Sequence, residues 1–335
     1  MEIRDRVPGY VSVIVVGLFV LLVSGALFAQ SEDTQVHITP RELHPPQTNE
    51  VASLNTHTKA FKAETDLVLV PVTVTDPDDR IVTGLDKDNF TVFENKLEQQ
   101  IQSFSCDDAP ISLGVILDMS SSMKEKMGKS REAIVDFLKA ANPQDEFFLV
   151  GFSDRPELIT GFTTSVGEIQ NKLVYVASKG RTALLDAIYL GMNEMRHAKH
   201  HRKALLIISD GGDNNSRYTE NEIKSMVEES EVQMFAIGIF DDAPRTEEER
   251  AGPSLLREIT EATGGRTFVL DNVGDLPDVA AKIGVELRNE YVLGYRPSMK
   301  VNDGKWHKIK VKLMPPKGLP PLSVYAKKGY YAPGE

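Results

Sequence analysis

Asp118, Ser120 and Ser122 stand at alternate positions directly after the apolar run Ile111 to Leu117. One carboxylate and two hydroxyls are thereby placed on the loop where a buried strand is expected to end. Oxygen ligands of this kind suit a hard cation such as Mg²⁺, with Mn²⁺ or Ca²⁺ as substitutes, and not zinc or copper. A D-x-S-x-S spacing alone is a weak signal, because serine-rich loops are common. Other candidate chemistry is weaker still. Met123 to Ser130 ends like a phosphate-binding loop but has Met123 where its first glycine belongs. His197, His200 and His201 lie among Arg196, Lys199, Arg202 and Lys203, which describes a solvated basic helix end. Asp76 to Asp79 and Asp86 to Asn89 lack EF-hand spacing and read as turns. G-x-S-x-G, H-E-x-x-H and paired-cysteine zinc patterns are absent.

The elements that must position Asp118 follow from periodicity. Apolar runs at 111–117, 146–152, 204–209, 232–239 and 267–270 alternate with helical patterns. One helix is marked by Ile134, Phe137 and Leu138, and another by Leu184, Leu185, Ile188, Met192 and Met195. A third opens on a capping box, Thr219 with Glu222. A fourth carries Leu255, Leu256 and Ile259 and is stopped by Gly264-Gly265. The last runs over about 275–290 through Leu276, Val279, Ile283 and Leu287. Continuous apolar strands between amphipathic helices predict an α/β domain with a doubly wound, mostly parallel sheet covered on both faces.

Flanking segments have β rhythm instead. Leu67 to Val74, with Pro71 indicating an edge or a bulge, Phe90 to Phe93 and Gln100 to Phe104 precede the α/β region. Tyr291 to Tyr295, the alternating run Trp306 to Leu313, and Leu322 to Tyr325 follow it. Three short strands make only half a sandwich. The two sets are therefore expected to combine into one β-sandwich-like domain with the α/β domain inserted between them. Segment 76–98 is acidic and segment 296–328 basic, which reads as two solvated faces or, alternatively, as two segments that pair in one small domain. The expected organisation is 1–29 leader, 30–64 linker, 65–107 first β segment, 108–290 α/β domain and 291–335 second β segment.

Ligands of doubly wound sheets bind beyond the carboxyl ends of the strands, where the strand order reverses. Asp118 ends one strand and Asp210, in Ser209-Asp210-Gly211-Gly212, ends another. Thr182, in Gly180-Arg181-Thr182, precedes a helix and can face the same crevice, and Asp154 lies near a further strand end. These segments resemble the metal-ion-dependent adhesion site of von Willebrand factor type A domains. The resemblance covers about 111–290 and implies that Asp118, Ser120, Ser122, Thr182 and Asp210 hold a divalent cation. Glycine is usual in that family where this chain has Ser121. Gly84-Leu85, Asp88 to Phe90, Val92 to Asn95 and Gln100 to Phe104 further resemble the leader of bacterial VWFA-related proteins described from Acidobacteria.

The chain has 335 residues, 41% hydrophobic and 26% charged, with a formal net charge of −11, which argues against nucleic-acid binding. Its single cysteine, Cys106, excludes an intramolecular disulfide and reads as a small apolar filler. Val11 to Ala29 is apolar and uncharged, preceded by Arg4 and Arg6. It reads as a secretory signal cleaved after Ala29, or as an uncleaved anchor, and either places the rest outside the cytoplasm. The resemblance implies an extracytoplasmic, secreted or periplasmic, non-catalytic adhesion module that grips an Asp or Glu of a protein partner through the ion. It also implies coupling of binding to the last helix, which leads straight into strand 291–295. An assembly or chaperone subunit is the alternative reading. A metal-dependent hydrolase would need a base beside the ion, and the sequence supplies none.

Overall fold

The computed structural model describes residues 67–240, 246–299 and 302–334. The leader read at 1–29 and the linker read at 30–64 lie outside the described residues. Four strands come first: β1 (Val68–Thr75), β2 (Phe90–Glu94), β3 (Leu97–Gln99) and β4 (Ile101–Ser105). An α/β stretch follows with β5 (Ile111–Asp118), α1 (Met127–Lys139), β6 (Glu146–Phe152), β7 (Pro156–Thr163), α2 (Val166–Leu173) and α3 (Leu184–Glu194). It continues with β8 (Arg202–Ser209), α4 (Glu220–Glu228), β9 (Gln233–Gly238), α5 (Glu247–Thr263), β10 (Thr267–Val269) and α6 (Leu276–Arg288). Strands β11 (Tyr291–Tyr295), β12 (Trp306–Leu313), β13 (Ser323–Ala326) and β14 (Gly329–Tyr331) come last. Among the described residues no helix is long and apolar enough to cross a membrane.

The α/β stretch builds a six-stranded sheet in the order β10-β9-β8-β5-β6-β7. Every residue of β5 is buried, because each face of the sheet carries a helical layer. Leu113, Val115 and Leu117 pack with Ile134, Phe137 and Leu138 of α1 and with Leu276, Ile283 and Leu287 of α6. Ile116 packs on the other side with Leu184 and Ile188 of α3, Ile223 of α4 and Leu256 and Ile259 of α5. Each such side chain contributes roughly 1.5–3 kcal/mol on burial. The predicted parallel core is therefore present. The sheet also has an antiparallel edge strand, β7, paired with β6. Its largely polar and half-exposed residues made it invisible to the apolar pattern, and α2 escaped with it. Gly264 stops α5 in the left-handed conformation at φ 88°, as its sequence position suggested.

The flanking strands form two four-stranded sheets, β13-β1-β11-β4 and β14-β12-β2-β3, each mixing strands from before and after the α/β stretch. Between them lies a core of Val70, Val72, Val74, Phe90, Val92, Leu293, Tyr295 and Ile309. Three sequence expectations need correction here. Pro71 is not on an edge strand, since β1 lies between β13 and β11. Pairing with β13 begins only at Val72, so the missing amide falls just past the end of that ladder. The opposite charges do not pair as two blocks. Asp76 accepts from the Arg80 side chain, Asp79 binds Arg266 and Lys282, and Lys328 binds Glu261. Among the described residues Glu94 and His307 form an ion pair across the two segments. Cys106 is exposed, lying just past the end of β4.

Arg266 is the polar centre of the junction between sandwich and α/β layer. Its guanidinium makes a two-armed contact with Glu286 on α6 at 3.1 and 2.6 Å and reaches Asp79 at 2.5 Å. Phe268 and Tyr325 cover it at 4.6 and 4.4 Å from their ring centroids. Glu286 has no exposed surface, and its burial raises its pKa against the lowering effect of Arg266. Removing the arginine strands that carboxylate. Arg266→Ala is expected to lower unfolding stability by about 3–5 kcal/mol, and Arg266→Ala with Glu286→Gln to recover a substantial part, both read from urea denaturation.

A second buried polar group has its pKa shifted by its partners. His307 Nδ1 lies 2.6 Å from Glu94 Oε1, and its Nε2 lies 3.3 Å from Asp303 Oδ1. The hydrogen bond to Glu94 raises the His307 pKa, burial opposing it and Asp303 adding to it. A histidine whose folded pKa exceeds the unfolded value contributes stability that is complete below about pH 6.5 and lost as pH rises through the raised value. Unfolding stability is expected to fall across that window, and the His307→Gln variant to lack this component. Denaturation midpoints on either side of the window measure it.

Candidate functional site

Strand order places the site. The sheet starts in its middle with β5, extends one way through β6 and β7, and extends the other way through β8, β9 and β10. The reversal therefore falls between β5 and β8, whose carboxyl ends open a crevice. Asp118 is the last residue of β5, Ser209 the last of β8, and Asp210 comes next. The loops after these strands meet the loop that enters α3 with Thr182.

All five sequence-predicted oxygen ligands are brought to this crevice. Asp118 is fully buried, with Oδ1 accepting from Ser120 N at 2.8 Å and Oδ2 from Ser209 Oγ at 2.7 Å. Burial and then the like charge of Asp210 push its pKa up to about 7. Ser120 Oγ and Ser122 Oγ lie 3.0 Å apart. Ser122, Thr182 and Asp210 line a cleft of about 90 Å³. Thr182 is 5% exposed, and its hydroxyl has no hydrogen-bond partner among the described residues. Two carboxylates repelling each other beside hydroxyls that line a cleft is an arrangement that a hard cation satisfies. The residues present therefore fit such an ion. Among the described residues no group of three or more His, Cys, Asp and Glu side chains forms a metal cluster, so hydroxyls are indispensable to this set.

The loops are fixed to one another by hydrogen bonds. Ser121 gives both its amide and its hydroxyl to Gly180 O, at 3.1 and 3.0 Å. The serine that replaces the usual glycine thus ties the first loop to the second. Gly180 has φ 79°, and a Cβ there would lie 2.6 Å from Asp154 Oδ2. Asp154 accepts from Arg181 N at 2.8 Å and its carbonyl from Asn215 Nδ2 at 2.7 Å. Asp154 thus supports the rim rather than lining the cleft. Thr182 O accepts from the amides of Asn214 and Asn215, and Thr182 N donates to Asn214 Oδ1 at 3.1 Å. α3 has no cap of its own, and Asp213 supplies one by accepting from Leu185 N at 2.9 Å.

Several contributors were missed in the sequence. Lys126 Nζ lies 3.5 Å from Asp210 Oδ2 and donates to Ile239 O at 2.9 Å. Its signal was present in the failed phosphate-loop match at 123–130. Asn214 and Asn215 follow the diglycine after Asp210 and carried only a turn signal. Nothing local placed α5 here. Gly252 of α5 approaches so closely that a Cβ on it would lie 2.4 Å from Gly211 O, which sets Glu248 and Glu249 on the cleft wall. His197, His200 and His201 take no part, and His200 Nε2 meets Gln144 O instead.

Residues 113–212 match the family model of the von Willebrand factor type A domain. Inter-alpha-trypsin inhibitor heavy chain H4 of Homo sapiens is 23% identical over 150 residues, covering 40% of this chain. The chain spans only 16% of that relative's length. A von Willebrand factor type A structure from Catenulispora acidiphila is 11% identical with a TM-score of 0.48, covering 82% of this chain and 76% of that one. The conserved hypothetical protein BatB from Bacteroides thetaiotaomicron is 18% identical with a TM-score of 0.42, covering 52% and 98% respectively. The matched residues span β5 to β8, the two strands whose ends lead to Asp118 and Asp210, and the chain contains a von Willebrand factor type A domain.

Proposed function

We propose that this chain is an extracytoplasmic, metal-dependent protein-binding module of adhesion type. In this reading Asp118, Ser120, Ser122, Thr182 and Asp210 hold one divalent cation, Mg²⁺ in the first instance and Mn²⁺ or Ca²⁺ as substitutes. When bound, the ion offers a coordination position to an outside oxygen, most simply a carboxylate of a partner protein. Asp118 and Asp210 balance the charge, while Ser120, Ser122 and Thr182 orient the site. The observation that carries the reading is the buried Asp118 carboxylate, raised in pKa by burial and by Asp210, in a cleft that Ser122, Thr182 and Asp210 line. A location outside the cytoplasm is supported by the leader-like run Val11 to Ala29.

A binding role is favoured over hydrolysis by the cleft wall. Glu248 is held ionised by hydrogen bonds from its own amide and from Thr246, which lower its pKa, and such a carboxylate is a weak general base. Turnover on a substrate panel that vanishes in Asp118→Ala would support the hydrolase instead. Capture of a client or enzyme subunit from the envelope would favour the assembly reading over adhesion.

Titration of Mg²⁺ into the full chain by calorimetry is expected to show one ion per molecule, and none in Asp118→Ala. At a hundredfold excess over its dissociation constant the ion should add about 2.7 kcal/mol of stability. Absence of any binding at millimolar metal would remove the reading's basis. The same carboxylate pair predicts an inversion. In chelator Asp118→Asn should be more stable than wild type by roughly 1–3 kcal/mol, because a buried like charge is gone. In Mg²⁺ the order should reverse, as read from thermal midpoints.

A further inference from the structure

Strand β12 turns one face to the sandwich core and the other to solvent. His307 and Ile309 are buried, while Lys308, Lys310 and Lys312 are exposed. Alternate positions on a strand lie roughly 7 Å apart, so the three ammoniums form a row along one sheet face. None of the three has an ion pair among the described residues, and Lys312 Nζ lies 4.7 Å from the ring centroid of Phe93 on β2. Lysines on an edge strand block unwanted strand pairing, but β12 lies inside its sheet, between β14 and β2. On the strands of this sheet the one acid that shares the face is Glu98, opposite Phe93. Asp303, in the loop before β12, is held by His307 and by the Lys305 amide. Lys300 and Glu335, which border this region in sequence outside the described residues, carry opposite charges and leave the balance positive.

The row of lysines ends in aromatic rings. Trp306 precedes Lys308 on the same face and meets Tyr331 of β14 edge to face, with ring centroids 5.1 Å apart. Trp306 is half-buried and Tyr331 is 37% exposed. The indole lies against the backbone of β14, since a Cβ on Gly329 would come 2.5 Å from it. Rings with an apolar body and a polar tip, beside unpaired ammoniums, suit the boundary of a bilayer that carries anionic headgroups. The route of the chain adds a second argument. Tyr291 meets Phe90 at one end of the sandwich, and at the other burial and then the charge of Glu94 raise the pKa of Tyr295. Val68 pairs with Tyr295, and Glu94 pairs with Ile309, three residues from Trp306. The chain before β1 therefore joins the sandwich at its aromatic end. That preceding sequence contains the run Val11 to Ala29, and as an anchor it would leave this end within reach of a bilayer.

We propose that this face of the sandwich docks on an anionic bilayer surface, with Lys308, Lys310 and Lys312 meeting headgroup phosphates and Trp306 and Tyr331 entering the interface. A sheet face offers its charges to a surface, whereas a single polymer chain is best gripped in a cleft. The clefts beside Thr182 and beside Arg266 contain none of these residues. Contact made through phosphates and ring insertion is independent of the divalent cation proposed above.

Trp306 is the one tryptophan of the chain, so its emission reports on this face alone. The full chain is mixed, in chelator, with phosphatidylcholine vesicles made with or without phosphatidylglycerol. Anionic vesicles are expected to shift the Trp306 emission to the blue, and brominated acyl chains in them to quench it, while neutral vesicles do neither. Partition onto anionic vesicles should weaken roughly fivefold for each lysine exchanged in Lys308→Gln, Lys310→Gln and Lys312→Gln, and should fall steeply in high salt. These side chains are exposed, and an unchanged circular dichroism spectrum shows that the variants keep the fold. An apolar leader that inserts by itself holds the chain to both kinds of vesicle and leaves Trp306 unquenched, which overturns the proposal. Equal quenching in neutral and anionic vesicles, or quenching unchanged in the triple variant, overturns it as well. A soluble polyphosphate that gives the same shift and keeps the chain off anionic vesicles assigns the face to an anionic polymer instead.

Discussion

The organisation of the carboxyl edge of the central sheet depends on one unfavourable contact, the buried carboxylate of Asp118 beside that of Asp210. Burying a charge is costly unless it is paired, and here the nearest charge is of the same sign. Its pKa is accordingly pushed up to about 7. Two hydrogen bonds, from Ser120 N and Ser209 Oγ, hold the carboxylate without neutralising it. Lys126 neutralises Asp210 only partly. In the function proposed above, the neighbouring oxygens of Ser120, Ser122 and Thr182 would complete a cation's ligands, and the loops carrying them are already tied to one another by hydrogen bonds. Preorganisation of this kind avoids an ordering cost at the moment of binding.

The rest of the fold supports that edge from below and from the side. A doubly wound sheet brings two strand ends together at its reversal point, and helices on both faces keep the strands dry. α5 is pressed against the loop after β8 through Gly252 and Gly211, so the same contact that closes the fold sets the second wall of the cleft. α6 is held along its length by charge. Lys282 meets Asp79, Glu286 meets Arg266, and Arg288 meets Asp108 and Asp145. Just beyond it, Glu290 lies 3.0 Å from Arg202, and burial pushes its pKa up to about 7. The helix passes directly into β11, at the centre of a sandwich sheet. Any displacement of α6 must break buried ion pairs and reach the sandwich, which makes the two layers a stiffly coupled pair.

Much of this was legible in one dimension. The alternation of apolar runs with helical faces is a local consequence of burying both sides of a sheet, and it placed the parallel strands and the principal helices. The five candidate oxygen ligands were legible as a group because they lie on the loops that leave β5 and β8 and enter α3, where type and spacing carry meaning. β7 and α2 were not legible, since a half-exposed edge strand and a short helix bury too little apolar surface to imprint a pattern. The interior position of β1 was obscured because Pro71 falls one residue beyond the end of the ladder with β13.

Residue type and periodicity alone determined the fold class, the strand ends that carry Asp118 and Asp210, and the oxygen-rich character of the candidate site. Those features depend on contacts a few residues apart in the chain. Tertiary structure decided how charges are partnered. Asp79 meets Arg266 and Lys282 rather than the basic C-terminal segment, and Glu248 meets the cleft although it lies 38 positions beyond Asp210 in the chain. Long side chains on surface loops can reach many partners at similar cost, so sequence leaves the choice open. Close packing of backbones, as at Gly211 and Gly252, makes it.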